Sequence, residues 1–461
     1  MGHCVRDAQA LRYARADEKT SGAAIEPGVG LGGPTRPRPL GRDTSLEGHD
    51  TRGLRMRIGI LTNEYPPYIY GGAGVHVEYL TRELARIEDG HHSVTVLCFG
   101  DQDVQQGNLI VRGINPEFNL PYLDPRHKKF KETMLRDLVM AGVLGDVDVV
   151  HCHTWYTHLA GCLVQQLTDA RLVLTTHSLE PHRPWKVEQL GRAYRASSWI
   201  EKTAYRNADG VVAVSSSMRN DVHTLYDVPY DKIRIIHNGI DLNQYRPTRD
   251  PAVLKKYQID PDRPFVLFVG RITRQKGIIH LVSAIKHIRP GVQVVLCAGA
   301  PDTPEIGLEM EERVEQARRE AATPIIWIAQ VVPKEEIIPL YTHASVFVCP
   351  SVYEPFGIIN LEAMACETPV VASAVGGIKE VVVPEKTGLL VPFEPVSTID
   401  FEPADPGQFA RDLAAGVNRL LDDPVRLREM GLRSRERVEH YFSWTSIARW
   451  TLDFYFDLMQ D

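Results

Sequence analysis

The sequence predicts an α/β protein of two doubly wound domains facing each other across a cleft, with a C-terminal helix crossing their junction. Three observations predict it. From Met56 onward, short and nearly continuous apolar runs alternate with longer helical stretches, the pattern of a parallel sheet covered on both faces. The alternation starts again after YRPTRDPAVLKKYQIDPDRP (245–264), a polar, proline-punctuated connection. Finally, 461 residues are too many for one hydrophobic core.

Residues 1–55 stand apart. AIEPGVGLGGPTRPRPLGR carries no apolar periodicity, so disorder is expected. The stretch lacks the apolar segment of a secretory signal and holds too many acids for a typical transit peptide. The first domain, 56–245, opens with RIGIL and continues through SVTVLCF, DVDVV, RLVLTT, GVVAVS and KIRIIHN as strands. Helical stretches such as AGVHVEYLTRELARIED fall between them. The second domain, 246–440, repeats the scheme with FVLFVG, VQVVLCAG, PIIWIA, SVFVCP, TPVVAS and GLLVP. Residues 441–461 form a helix too rich in aromatics to lie exposed, which should pack across the domain junction.

Bulk properties narrow the function. A net charge of -7 argues against a nucleic-acid scaffold, which needs a basic face. No apolar run reaches the roughly 20 residues that cross a bilayer, and no stable membrane association is expected. DPRHKKFKE (124–132) is the one basic stretch that could face lipid, and a solvated helix face suits it better. The seven cysteines form no CxxC pair. Cys98, Cys297 and Cys349 sit in apolar runs, so buried thiols in a reducing cytoplasm are expected.

The chemistry gathers where strands end, because open α/β sheets bind ligands at the carboxyl ends of their strands. EPFGIINLE (354–362) offers two carboxylates around a Pro-Phe-Gly turn that leads into a helix. Pro355 suits the first helical position, and the amides of Phe356, Gly357, Ile358 and Ile359 should point at an anion such as a phosphate. Glu354 and Glu362 beside a phosphate would serve neighbouring hydroxyls. VGRITRQKG supplies Arg271 and Lys276 just after a strand, a fork and a point charge that suit a diphosphate. YGGAGVH (70–76) brings Gly71 and Gly72 after the first strand, where a phosphate cradle and a plain tight turn read equally well. In HCHTW, alternation puts His151 and His153 on one side of a strand, with His153 nearer its tip. No ligand partner of fixed spacing completes a metal site there, and none is expected. AVGGIKE (374–380) adds another glycine turn near the same rim.

In this order the glycine loop, HCH, HNGID (237–241), GRxxxxKG, EPFGxxxxE and GGxxE resemble the retaining family-four glycosyltransferases of the twin-Rossmann (GT-B) fold. The resemblance covers Met56 to the C-terminus. NEYPPYIYGGAGVHVEYL, SLEPHRPWKVEQLG (178–191) and PSVYEPFGIINLEAMAC are most similar to short actinobacterial-type glycogen and maltose-1-phosphate synthases. The resemblance implies ADP-glucose as donor and glucose 1-phosphate or an α-glucan as acceptor, with no cofactor. It implies that Arg271, Lys276 and the amides after Glu354 hold the diphosphate and that Gly71–Gly72 close over it. By the same resemblance Glu354 and His153 meet the transferred glucose, Glu362 the ribose, and Glu64 and Asn238 a sugar. SLEPHRPWK follows RLVLTTH and should sit at the cleft rim, where Arg183 and Lys186 offer charge and Trp185 a flat ring to an acceptor; a surface loop anchored by the tryptophan reads equally well. Longer bacterial glycogen synthases carry a lysine in the first loop (KxGG), where this chain has Ile69 and Tyr70 before the glycines. A UDP- or GDP-sugar transferase, or a non-catalytic nucleotide-sugar-binding regulator, are the alternatives. A homo-oligomer is left open.

Overall fold

The computed structural model describes residues 55–117, 121, 124–398 and 400–460. The tail expected over 1–55 therefore lies outside the described residues except for Arg55.

The first sheet holds β1 (Arg57–Leu61), β2 (Ser93–Phe99), β3 (Asp103–Gln106), β4 (Leu109–Ile114), β5 (Val149–His153), β6 (Arg171–Thr176), β7 (Gly210–Ala213) and β8 (Ile233–Ile235). Its order is β3-β4-β2-β1-β5-β6-β7-β8. The second holds β9 (Phe265–Arg271), β10 (Gln293–Gly299), β11 (Ile325–Ile328), β12 (Val346–Cys349), β13 (Val370–Ser373) and β14 (Gly388–Val391), in the order β11-β10-β9-β12-β13-β14. All pairings are parallel except that of β3 with β4. The sequence predicts wholly parallel sheets, and β3–β4 is the correction: a hairpin whose tight turn places Gly107 at φ +60°. All four β3 residues are exposed, so no apolar pattern marks it.

Alternation along the strands feeds two faces. In β9, Val266 and Phe268 enter one core with Leu281, Ile285, Met310 and Leu413. Leu267 faces the opposite core, which holds Tyr341, Leu361 and Met364 and runs on into the first domain through Leu61, Val150 and Leu174. The other face of the first sheet carries Ile58, Ile60 and Val96 under Val77, Leu80 and Leu84 of the helix Gly72–Arg86.

The C-terminal helix, Trp444–Gln460, joins that same cluster through Ile447, Leu452, Phe454 and Tyr455. The chain recrosses at Phe442, whose carbonyl accepts from the Ile240 amide at 2.9 Å, and then covers the first sheet. Gly239 permits the close approach, since a Cβ there would stand 2.6 Å from Trp444. Among the described residues no helix is long and apolar enough to cross a membrane. Six cysteines lie among them, all free thiols.

The aromatic face of this helix should dominate the stability of the first domain. Phe454→Ala should cost about 3–5 kcal/mol, whereas Trp450→Ala, 44% exposed, should cost little. Urea midpoints of the two variants check this. Equal shifts would mean the helix is not a core element.

Candidate active site

On the second domain, β9 ends at Arg271 and its loop turns into the helix Ile278–Ala284 through Gly277. Gly277 has φ +59°, and a Cβ there would meet the Pro350 carbonyl oxygen at 2.1 Å, so the loop sits against the end of β12. That contact brings Lys276 Nζ to 2.6 Å from Glu354 Oε2, which also accepts from the Ser351 hydroxyl at 3.2 Å. Both charged side chains are mostly buried, and each is the other's compensation. Among the described residues Glu354 Oε1 has no recorded partner.

The helix after Glu354 starts later than Pro355 suggests. It spans Ile358–Ala365, with Gly357 before it at φ 97° and ψ 57°. Pro355 belongs to the preceding turn, its carbonyl accepting from the Ser215 hydroxyl of the first domain at 2.7 Å. Phe356 is buried with its ring stacked on His237. The amides that open the helix are thus those of Ile358 and Ile359, which have no intrahelical acceptor. Glu362 accepts from the hydroxyls of Tyr245 at 3.0 Å and Tyr341 at 2.8 Å, and burial raises its pKa. Two further sites on this carboxylate remain for other donors.

The first domain presents the glycine loop to this helix start: a Cβ on Gly72 would lie 3.4 Å from Ile358 Cδ1. Glu64 shapes that loop. Its Oε2 accepts from the amides of Tyr70 and Gly71, both at 2.8 Å, while Oε1 lies 3.5 Å from Asn63 Nδ2. Glu380, of the second glycine turn, also ties the halves together. It accepts from the Ser216 amide at 2.8 Å and pairs with His237 at 2.9 Å.

Below the loop lies a group of imidazoles that no sequence motif united. His151 is fully bonded, to the Tyr455 hydroxyl at 2.5 Å and the Thr175 hydroxyl at 2.6 Å. His153 Nδ1 lies 3.0 Å from His177 Nε2, and His76 Nδ1 lies 2.6 Å from Asn238 Oδ1. Asn238 therefore orients a histidine. The Nε2 atoms of His76 and His153 are buried and have no partner among the described residues. Burial lowers the pKa of His76 to about 4 and of His151 to about 3, and that of His153 falls well below 6.5. Neutral rings offer a hydroxyl either a donor or a lone pair. His76, His153 and His177 also place one ring nitrogen each within 4.8 Å of the others, close enough to hold a metal ion.

The SLEPHRPWK loop follows β6. Arg183 donates to the Ser178 hydroxyl at 3.2 Å, and Lys186 donates to Gln189 at 3.0 Å. Burial, then Arg183 and more weakly Lys129, lower the Lys186 pKa to about 7, against the pull of Glu180 and Asp302. Trp185 is half-buried and packs on the core. Lys129 comes from the DPRHKKFKE segment, in the helix Lys128–Val143, and only the tertiary fold reveals that it neighbours this loop. Asp302, equally unmarked in the sequence, pairs with Arg271 at 2.6 Å.

Two doubly wound domains whose strand ends and glycine loop converge on a paired Lys–Glu are the architecture of a GT-B glycosyltransferase. Residues 70–244 match the family model described as Glycosyltransferase Family 4, and residues 250–400 that of Glycosyl transferases group 1. The chain is 47% identical over 408 residues to alpha-maltose-1-phosphate synthase of Mycolicibacterium smegmatis, covering 87% of this chain and 99% of that protein. It is 28% identical over 437 residues to glycogen synthase of Mycobacterium tuberculosis, covering 87% and 94%. Among solved structures, sucrose-phosphate synthase from Thermosynechococcus elongatus superposes with a TM-score of 0.69 at 27% identity, covering 88% of this chain and all of that one. This chain belongs to the family-four glycosyltransferases and is a hexosyltransferase.

The buried imidazoles carry a pH dependence. Their folded pKa values lie below the ordinary 6.5, so they cost nothing above that pH. As pH falls from 6.5 towards 4, the unfolded chain takes up protons that the folded one refuses, and stability drops. At pH 5, His76, His151 and His158, the last also lowered to about 3, should each remove about 2 kcal/mol. Glu201 and Asp221, raised by burial to about 8 and about 6, act in the opposite sense over this range. The imidazole share is therefore read by comparing the pH 7 and pH 5 urea midpoints of the wild type with those of His158→Phe. An equal pH shift in both would contradict the neutral, buried assignment.

Proposed function

We propose that this protein transfers glucose from ADP-glucose to glucose 1-phosphate, giving maltose 1-phosphate, and extends α-glucans as a second acceptor. The observation that carries the reading is that Arg183 and Lys186 stand on one loop of the first domain that reaches the donor clamp: Lys186 donates to Gln189, whose amide donates to the carbonyl of Asp302, the partner of Arg271, at 3.5 Å. A neutral glucan has no charge to meet such cations, and a sugar phosphate does. Likeness to the mycobacterial alpha-maltose-1-phosphate synthase over nearly the whole of both chains supports the same reaction.

In this reading the diphosphate lies between Gly71–Gly72 and the amides of Ile358 and Ile359, with Arg271 and Lys276 at its side. Glu354, oriented by Lys276, turns Oε1 to a glucose hydroxyl, and His153 Nε2 meets another. Glu362 accepts from the ribose through its remaining lone pairs. The acceptor O4 bonds to glucose C1 on the face from which the phosphate oxygen departs. The C1–O bond electrons leave with ADP, and the O4 proton passes to the departing phosphate. Configuration is thereby retained. Arg271 and Lys276 offset the charge that develops on the diphosphate, a stabilisation commonly of about 3–4 kcal/mol per group. The scheme calls on no metal cofactor.

Arg183→Ala and Lys186→Ala should raise the KM for glucose 1-phosphate at least tenfold. They should leave the KM for ADP-glucose, and transfer to an uncharged maltooligosaccharide, within about twofold. Lys129→Ala should act in the same direction more weakly. Steady-state kinetics with ADP-, UDP- and GDP-glucose, each against both acceptors, check the donor and the acceptor together. Equal losses on both acceptors would remove the phosphate site.

A further inference from the structure

One corner and one face of the Arg271 guanidinium are held by the protein. Nη1 donates to Asp302 Oδ1 at 2.6 Å and to the Tyr70 hydroxyl at 2.7 Å. The Tyr70 ring covers the plane of the cation, its centroid 4.2 Å from Cζ. Among the described residues no other nitrogen of this guanidinium has a recorded partner. The planar fork thus keeps the Nε and Nη2 pair as an uncommitted edge, the edge that can meet two phosphate oxygens at once.

The two holding residues come from different domains. Asp302 follows β10, in a loop where Ala300 adopts a left-handed φ of +48°, and its side chain is 7% exposed. Tyr70 precedes the glycine loop of the first domain, its amide fixed by Glu64. Tyr70 is 58% exposed, too open to be a core residue, and among the described residues its hydroxyl reaches only Arg271 and Asp302, the latter at 3.4 Å. Packing does not explain a tyrosine here, but a cation to cover does.

We propose that Tyr70 and Asp302 are positioning residues for Arg271, so that the grip on the donor diphosphate is complete only when the two domains meet at this contact. The proposal rests on the donor site described above and adds to it a dependence on domain closure. Asp302 sets the rotation of the fork from within its own domain. Tyr70 completes it from the other side, so that the glycine loop and the clamp reach the diphosphate together.

Calorimetric titration of the full chain with ADP, the nucleotide without its sugar, tests this. Tyr70→Leu should weaken ADP binding about three- to tenfold, the range of a partly desolvated cation–π contact, while Tyr70→Phe keeps most of the affinity. The KM for glucose 1-phosphate should not change in either variant. The decisive comparison is the double variant: in an Arg271→Ala background, Tyr70→Leu should have no further effect on ADP binding. The same loss in both backgrounds, or unchanged ADP affinity in Tyr70→Leu, would overturn the proposal. A wild-type chain that binds none of ADP, UDP and GDP would instead overturn the donor reading on which it stands.

Discussion

A parallel strand can be followed by its neighbour only after a crossover, and from that constraint follows where this chain keeps its chemistry. In each sheet the parallel strands, all but β3, run into loops at the same edge. β1 leads to Glu64 and the glycine loop, β5 ends on His153, and β6 leads to the Arg183–Lys186 loop. In the second domain β9 ends on Arg271, β10 leads to Asp302, and β12 leads to Glu354. Ser215 and Glu380 then fasten the domains so that these two edges face each other. The antiparallel hairpin β3–β4 sits at the far edge of the first sheet, where it adds a strand without disturbing that geometry.

The charges gathered there are already committed to one another. Lys276 lies against Glu354, Arg271 against Asp302, and Glu362 under two tyrosine hydroxyls. Partly buried charges without partners would be expensive, so the protein pairs each cation of its clamp with a carboxylate. In the proposed function a diphosphate would meet cations already oriented by those carboxylates. On the Arg183–Lys186 loop the pairing is looser: Arg183 lies 3.9 Å from Glu180, and Lys186, whose pKa is lowered to about 7 first by burial and then by Arg183, donates only to the neutral Gln189 amide.

All twelve strands read from continuous apolar runs are present, because a strand buried on both faces must be apolar throughout. β3 escaped notice because a short, exposed edge strand needs no apolar pattern, and β4 because Arg112 and Gly113 interrupt its apolar run LIVRGI. Arg271, Lys276 and Glu354 were legible because each stands within a few residues of a strand end. His76 and Lys129 were not, since residues on helices reach the cleft only through the packing of one element on another; His177 and Asp302 follow strand ends just as closely, but stand in no motif that marked them. Glu64 and Asn238 also hold the protein itself, the amides of Tyr70 and Gly71 and the His76 ring, roles that a motif does not reveal. Pro355 misled by its helix-start preference, since Gly357 in a left-handed conformation starts the helix two residues further on.

The central claim is that one cleft holds a nucleotide-sugar and a sugar phosphate side by side and joins them with retention. Incubating the purified protein with ADP-glucose and glucose 1-phosphate in the presence of EDTA, and following the products by proton and phosphorus NMR, tests it directly. The account predicts ADP and a disaccharide phosphate in equal amounts, with the new linkage α-1,4. A β linkage, release of free glucose in place of a disaccharide, or no turnover with any nucleoside-diphosphate glucose would contradict it.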